Sequence, residues 1–149
     1  VRDCKRLGIQ THATFLLGLP GEDRASAMRT IKFATRLGAH TLQFAIVTPY
    51  PGTALYDRAV KNGWLVKQSW QNFDPAGGCV MSYPGYTASD IEAMHDLAWR
   101  RWQWRMLTRQ PATVYHHFRN AYRREGVGGL VRLSRYSVDR LFRILGGAQ

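Results

Sequence analysis

The sequence predicts an α/β fold with parallel strands, followed by an all-α, strongly basic helical extension. In the first part of the chain, short apolar runs alternate with amphipathic stretches. This strand–helix–strand–helix order with short links is typical of βαβ units and a parallel sheet. In the second part, apolar residues recur at helical spacing and arginines accumulate. We therefore divide the chain into two predicted domains, 1–86 and 87–149.

Two apolar runs predict the strands. The first, Gln10 to Leu17 (QTHATFLL), is followed by the turn sequence GLPGE. The second, Thr41 to Val47 (TLQFAIV), is followed by TPYPGT and is continuous enough to favour a strand covered on both faces. A further short strand is predicted at Val80 to Tyr83. Two βαβ units are too few for a closed barrel.

Capping residues predict where the helices of the first domain lie. Asp23 is a candidate N-cap, and Gly38 closes that helix, whose apolar face repeats at helical spacing. A short helix is predicted from Ala54 to Asn62. The opening residues VRDCKRL, followed by Gly8, resemble the last turns of a helix. A domain seldom begins with the end of an element, so this pattern predicts that the chain is a fragment.

The extension is predicted to be helical throughout. Thr87 and Asp90 form a candidate capping pair, and Pro111 should end the long helix that they begin. A second helix is predicted to about Arg124, a glycine hinge at Gly126 to Gly129, and a third helix from Leu130 to Leu145. The apolar positions of the long helix are Ile91, Met94, Ala98, Trp102 and Met106.

Composition excludes several classes of protein. With 149 residues, 45% hydrophobic and 21% charged, the chain is long and apolar enough to form a core. It has no apolar run near the roughly 20 residues that a membrane span needs. With two cysteines, a secreted module held by disulfides is not expected, and we predict a cytoplasmic protein.

The charge of the chain is concentrated in the extension. Residues 100–149 contain eleven arginines but only Glu125 and Asp139, a net charge of +9. The segment Trp99 to Arg109 (WRRWQWRMLTR) interleaves three tryptophans with four arginines. Three interpretations stay open: a helical cap with a solvated basic surface, contact of 99–149 with a membrane surface or lipid-like substrate, and nucleic-acid binding. The last is disfavoured because no known nucleic-acid motif accompanies the tail.

The two turn motifs, GLPGE and TPYPGT, each directly follow a predicted strand, and together they resemble the pattern of a known enzyme family. From Gly8 to about Leu65 the chain resembles the second half of the barrel in cobalamin-binding radical S-adenosylmethionine enzymes. Similarity is closest to anaerobic magnesium-protoporphyrin ester cyclases and hopanoid-biosynthesis proteins. The resemblance implies a partial TIM-like (β/α) barrel. It also implies that the intact enzyme generates a 5′-deoxyadenosyl radical for chemistry at unactivated carbon, in tetrapyrrole, hopanoid or other lipid synthesis.

The same resemblance implies which residues of this chain contact the cofactor. It places Leu16 and Gly18 beside the adenine of S-adenosylmethionine, and Gln43, Phe44 and Thr48 near the nucleoside. Glu22 falls one residue late in the family's pattern, so a direct role for it is not expected. The resemblance assigns no catalytic residue on this chain.

The chain lacks the ligands of the family's other cofactors. A [4Fe–4S] cluster in this family is held by CxxxCxxC, whereas Cys4 and Cys79 are far apart and are predicted to be buried apolar thiols. The cluster and cobalamin would bind to the missing N-terminal part of the same protein, and this fragment alone would be inactive. We predict no metal ligands here. The alternative function is a non-catalytic basic module that contacts a membrane surface or RNA.

The histidines are expected to be structural. His12 is predicted to be a hydrogen-bonded core residue, with a position facing the barrel lumen as the alternative. His40 and His95 are predicted to have structural roles. The pair His116 and His117 lacks the spacing and the neighbouring carboxylate of a metal site.

Overall fold

A computed structural model describes residues 1–66 and 78–109, together with helical positions 119, 122–123, 125–129 and 131. The chain divides into two compact units, Val1–Trp99 and Arg100–Gln149. The predicted domain boundary after residue 86 stays a prediction, and the long helix Ala88–Arg109 begins in the unit that contains the strands. In chain order the elements are α1 (Arg2–Arg6), β1 (His12–Leu17), α2 (Arg24–Leu37), β2 (Thr41–Ile46), α3 (Ala54–Lys61) and α4 (Ala88–Arg109).

The two strands form a parallel pair, and α2 connects them. The register places His12 beside Thr41 and Leu17 beside Ile46. This mixture of helices with a parallel pair agrees with the predicted element order. A pair of strands neither confirms nor excludes a partial TIM-like barrel, which stays a prediction.

The two faces of the sheet differ in burial. Leu17, Leu42 and Phe44 are buried on the face that forms the core. On the opposite face, Thr14 and Gln43 are exposed. The described residues leave this face of the second strand open, so the prediction that the strand is covered on both faces stays a prediction. An apolar run shows that a strand is hydrophobic, but it does not show which chain segment covers each side.

Helix α2 begins and ends at the predicted residues. The Asp23 side chain accepts from the backbone N–H of Ser26, whose hydroxyl in turn accepts from the backbone N–H of Asp23. Gly38 ends the helix with φ at 75°, in the left-handed region. Between these caps, the apolar stripe buries Ala27, Ile31 and Ala34. The predicted N-cap and the glycine stop are confirmed, and the structure adds the reciprocal bond of Ser26.

The long helix α4 has the predicted capping pair. The backbone N–H of Thr87 donates to Asp90 Oδ2 at 2.9 Å, and the N–H of Asp90 donates to Thr87 Oγ1 at 3.3 Å. Arg24 donates to Asp90 at 2.5 Å and, together with the Thr87 contacts, lowers the pKa of this carboxyl to about 2. The helix buries Ile91, Met94 and Ala98 in the first unit. These three residues lie on the apolar face that the spacing predicts.

One predicted strand is absent from the described residues. Residues 80–83 do not form a strand but take part in two isolated bridges, Leu65 with Met81 and Tyr83 with Tyr86. The predicted hinge at Gly126 to Gly129 stays a prediction, because 125–129 is assigned as helix but Gly126 has φ at 59°, outside the right-handed helical region. The break at Pro111 lies outside the described residues, as does the predicted helix from Leu130 to Leu145 except for position 131. Within the described ranges, no helix combines the length and hydropathy that a membrane span requires.

Candidate functional site at the carboxyl edge of the sheet

Both turn motifs lie at one edge of the parallel pair. We call Gly18–Asp23 the first loop and Val47–Thr53 the second loop. Pairing continues one residue past the strands, where the N–H of Val47 donates to the carbonyl of Leu17 at 2.9 Å. The carboxyl edge of a parallel sheet is the usual place for a ligand site, because the loops that follow the strands converge there.

In the first loop, Gly18 is held by three other residues. Its N–H donates to Glu22 Oε2 at 2.5 Å, and its carbonyl accepts from the Tyr83 hydroxyl at 2.8 Å. A Cβ on this residue would lie 3.0 Å from Cγ2 of Ile91, and φ is +83°. Glycine is therefore required here by backbone conformation and by the close packing of α4. The backbone N–H and the carbonyl of Gly18 are therefore both hydrogen-bonded within the chain.

Burial changes the pKa values of the groups around this loop. It raises the pKa of Glu22, although the hydrogen bonds from the Gly18 and Leu19 backbone act in the opposite direction. It also raises the pKa of Tyr83 and of Tyr86 to about 12 in each case. The Tyr83 hydroxyl therefore stays protonated and donates to Gly18. The buried Tyr86 hydroxyl has no hydrogen-bond partner among the described residues.

The second loop is held by its own residues. Thr53 caps α3: its hydroxyl accepts from the N–H of Tyr56 at 3.3 Å and donates to the carbonyl of Tyr50 at 2.6 Å. Gly52 has φ at +84°, but a Cβ there would meet no atom within 4 Å. The Tyr50 side chain is half-exposed beside it. This loop therefore needs glycine for its backbone angle alone.

The structure brings together two of the five predicted cofactor residues. Leu16, 47% exposed, and Gln43 lie on the exposed face of the sheet, where Leu16 is registered against Ala45. Phe44 belongs to the opposite face and is 3% exposed. Thr48 lies in the second loop and is partly buried. The prediction that these five residues, including the buried Gly18, contact a cofactor stays a prediction.

Phe44 is a packing residue in this structure. Its ring centroid lies 5.9 Å from that of Phe15 and 6.0 Å from that of Trp99. The carbonyl of Phe44 lies 3.2 Å from Nε2 of His95, and the same nitrogen lies 3.1 Å from the indole nitrogen of Trp99. These contacts join β2 to the first part of α4, and they give His95 the structural role that the sequence predicts.

Sequence reasoning misplaced His12, at the amino end of β1, and missed two residues that hold the first loop. His12 is exposed, and its Nδ1 lies 2.8 Å from Thr41 Oγ1, so the prediction of a core residue is wrong. The reason is the strand's alternation, which places His12 on the same side as Thr14. Glu22 lies four residues after Gly18, a spacing that could have indicated the closing hydrogen bond. No local signal indicates Tyr83, which is 65 residues away from Gly18.

Among the described residues, the remaining cysteines and histidines do not cluster into a second site. Cys79 is buried as predicted, with its thiol 3.1 Å from the carbonyl of Met81, whereas Cys4 is partly exposed. His40 Nδ1 accepts from the backbone N–H of Thr11 at 3.2 Å, a structural role as predicted. In the part of the chain that the structure describes, no three His, Cys, Asp or Glu side chains cluster as metal ligands. His116 and His117 lie outside the described residues.

Comparison with known proteins gives one informative similarity. Over 97 residues, 63% of this chain, the sequence is 35% identical to an uncharacterized methyltransferase of Pyrococcus horikoshii. The chain matches 20% of the length of that protein. No family model and no solved structure matches the chain.

This similarity corrects the functional assignment made from the turn motifs. The relative is named a methyltransferase, which contradicts the assignment to cobalamin-binding radical S-adenosylmethionine enzymes and the radical chemistry implied with it. Nothing supports the [4Fe–4S] cluster or cobalamin, and the alternative of a non-catalytic binding module gains no support either. The structure shows why the motifs misled: the glycines of GLPGE and TPYPGT are explained by positive φ angles and by Ile91. Turn chemistry of this kind is shared by unrelated proteins.

Proposed function

We propose that the protein to which this chain belongs is an enzyme that transfers a methyl group from S-adenosylmethionine. The observation that carries the proposal is the 35% identity over 97 residues to a protein named a methyltransferase. When bound, S-adenosylmethionine supplies an electrophilic methyl group on a sulfonium. We propose a small-molecule or lipid-like acceptor, as the sequence predicts.

The exposed face of the sheet is the proposed cofactor contact. Leu16 offers a half-exposed apolar side chain that suits the flat face of an adenine. Gln43, on the same face, carries a carboxamide that can both donate and accept hydrogen bonds. Phe44 does not fit this role, because its side chain packs into the core. Gly18 fits as a positioning residue, since its backbone groups are bonded to Glu22 and Tyr83.

We further propose that the parallel pair is one part of a larger sheet, a partial TIM-like barrel as the sequence predicts. The support is physical. Parallel strands are normally covered on both faces, because their crossover helices pack on the sheet. The exposed Thr14 and Gln43 are unusual for such a sheet unless another segment or a ligand covers them. A ligand on this face would therefore lie near the loops at the carboxyl edge.

Calorimetric titration of S-adenosylmethionine into the full-length protein tests the methyl-donor assignment and the proposed cofactor contact at the exposed face of the sheet. We expect binding, and we expect Leu16→Ala to weaken it about tenfold, because an apolar contact is lost. Gln43→Ala should weaken it similarly by removing a hydrogen-bonding group. The control is Val60→Ala, which shortens a side chain that is 54% exposed on α3. Absence of binding to the full-length protein would overturn the methyl-donor assignment, while full affinity in both site variants would move the contact away from this face.

A further inference from the structure

The second half of α4 has an exposed side in which aromatic, apolar and basic residues meet. Arg100, Trp104 and Leu107 follow the spacing i, i+4, i+7 and therefore lie along one side of the helix. Trp104 is 71% exposed and Leu107 is 61% exposed. Arg101 and Thr108 flank this line and are exposed too. We call these five residues the Trp104 face.

Exposure of this kind is not a general property of the helix. Trp102, only two positions before Trp104, is 7% exposed. Gln103, Arg105 and Met106 are partly buried. The helix therefore buries one tryptophan and presents another to solvent, with a leucine one turn further along. A large aromatic and a large aliphatic side chain exposed side by side indicate a contact surface.

The charge around the Trp104 face is positive. Arg100 and Arg101 belong to it, and residues 100–149 as a whole have a net charge of +9. The nearest acidic side chain along the helix is Asp96, one turn before Arg100, and it is 63% exposed. The surface should therefore attract an anionic partner, and the attraction should weaken as salt screens the arginines.

We propose that the Trp104 face binds the surface of a membrane that contains anionic phospholipids. Tryptophan and arginine are the residues that lie at headgroup level, where an indole can be half in an apolar and half in a polar environment. Leu107 adds apolar area that would enter the acyl boundary. Nucleic-acid bases could stack on Trp104, but they would give the adjacent leucine no comparable contact. The combination favours lipid as the occupant.

The test is co-sedimentation of the full chain with vesicles of phosphatidylcholine alone or with about 30 mol% phosphatidylglycerol. We expect association with the anionic vesicles and a partition coefficient that falls between about 50 and 500 mM salt. Arg100→Gln with Arg101→Gln should lower the partition coefficient about 30-fold at low salt. A matched control, Arg29→Gln with Lys32→Gln, removes the same charge from the exposed side of α2 and should have a much smaller effect.

The apolar part of the contact is tested separately. Trp104→Gln with Leu107→Gln should abolish the binding that remains at high salt, because that part depends on apolar burial. Thermal unfolding followed by circular dichroism should be unchanged, since both side chains are exposed. The proposal would be overturned if the chain did not associate with vesicles, or if the α2 control lowered the partition coefficient as much as the Arg100 and Arg101 variant. It would also be overturned if the chain bound RNA with a steep salt dependence, lost that binding in the same variants, and did not bind vesicles.

Discussion

The two loops at the carboxyl edge have similar sequences but are held in different ways. Both follow a parallel strand, both combine glycine with proline, and both contain a glycine with φ near +84°. In the first loop, Gly18 is bonded to Glu22 and Tyr83 and is covered by Ile91. In the second, Gly52 has open space around it. Glycine is therefore favoured by both backbone conformation and packing in the first loop, and by backbone conformation alone in the second.

This difference shows what a turn motif can and cannot indicate. Glycine and proline predict where the chain turns, because they set the accessible backbone angles. They do not reveal whether the turn is packed against another element. In the first loop that element is α4, whose Ile91 lies 73 positions further along the chain.

The largest expected effect is the loss of stability in Gly18→Ala. A Cβ would be strained by the positive φ and would press on Ile91, at a total cost of about 3 kcal/mol. Gly52→Ala is the matched control, since the φ is nearly the same but the space is open, and it should cost about 1 kcal/mol. Urea unfolding of the 149-residue chain measures both. Equal costs would show that the packing of Ile91 contributes nothing to the requirement for glycine.

The second largest effect is expected from Tyr83→Phe. The variant keeps the ring, whose centroid lies 5.0 Å from that of Trp64, but removes the hydroxyl that donates to Gly18. A buried carbonyl then loses its donor, and we expect unfolding to become easier by about 1 to 2 kcal/mol. Tyr50→Phe, at a half-exposed position in the second loop, is the comparison variant. If both variants unfold alike, the bond to Gly18 is not what distinguishes the first loop.

The smallest effect concerns pH and Glu22. Because burial raises the pKa of Glu22 above its ordinary value of 4.5, the folded chain binds this proton more tightly than the unfolded chain does. This contribution to stability is complete below pH 4.5 and is lost as the pH rises through the folded-state pKa. Glu22→Gln keeps an oxygen for the N–H of Gly18 and should remove the dependence.

Wild-type and Glu22→Gln chains are compared by urea unfolding between about pH 4 and pH 7. The stability of the wild-type chain relative to the variant should decrease as the pH rises. The Asp90 carboxyl is present in both proteins, so its own titration, with a pKa near 2, cancels in the difference. A difference that stays constant, or that grows with pH, would show that the environment of Glu22 does not disfavour its charge.

The local structure was largely predictable from the sequence, whereas the site was not. Capping chemistry indicated Asp23, Gly38 and the Thr87–Asp90 pair, because a cap depends on residues within one turn. Apolar runs located β1 and β2, but they could not show that Gln43 faces outward. The enclosure of Gly18 depends on Tyr83 and Ile91, which are separated from it by more than 60 positions. Spacing along the sequence carries no information about such contacts.

The position of His95 allows the hydrogen bonding between β2 and α4 to change when a single proton moves. Its Nε2 is within hydrogen-bonding distance of an acceptor, the carbonyl of Phe44, and of a donor, the indole N–H of Trp99. In a neutral imidazole each nitrogen either bears the hydrogen or offers a lone pair, so one tautomer satisfies Phe44 and the other satisfies Trp99. Tautomer exchange can therefore reassign the bond between β2 and α4 while every heavy atom keeps its place.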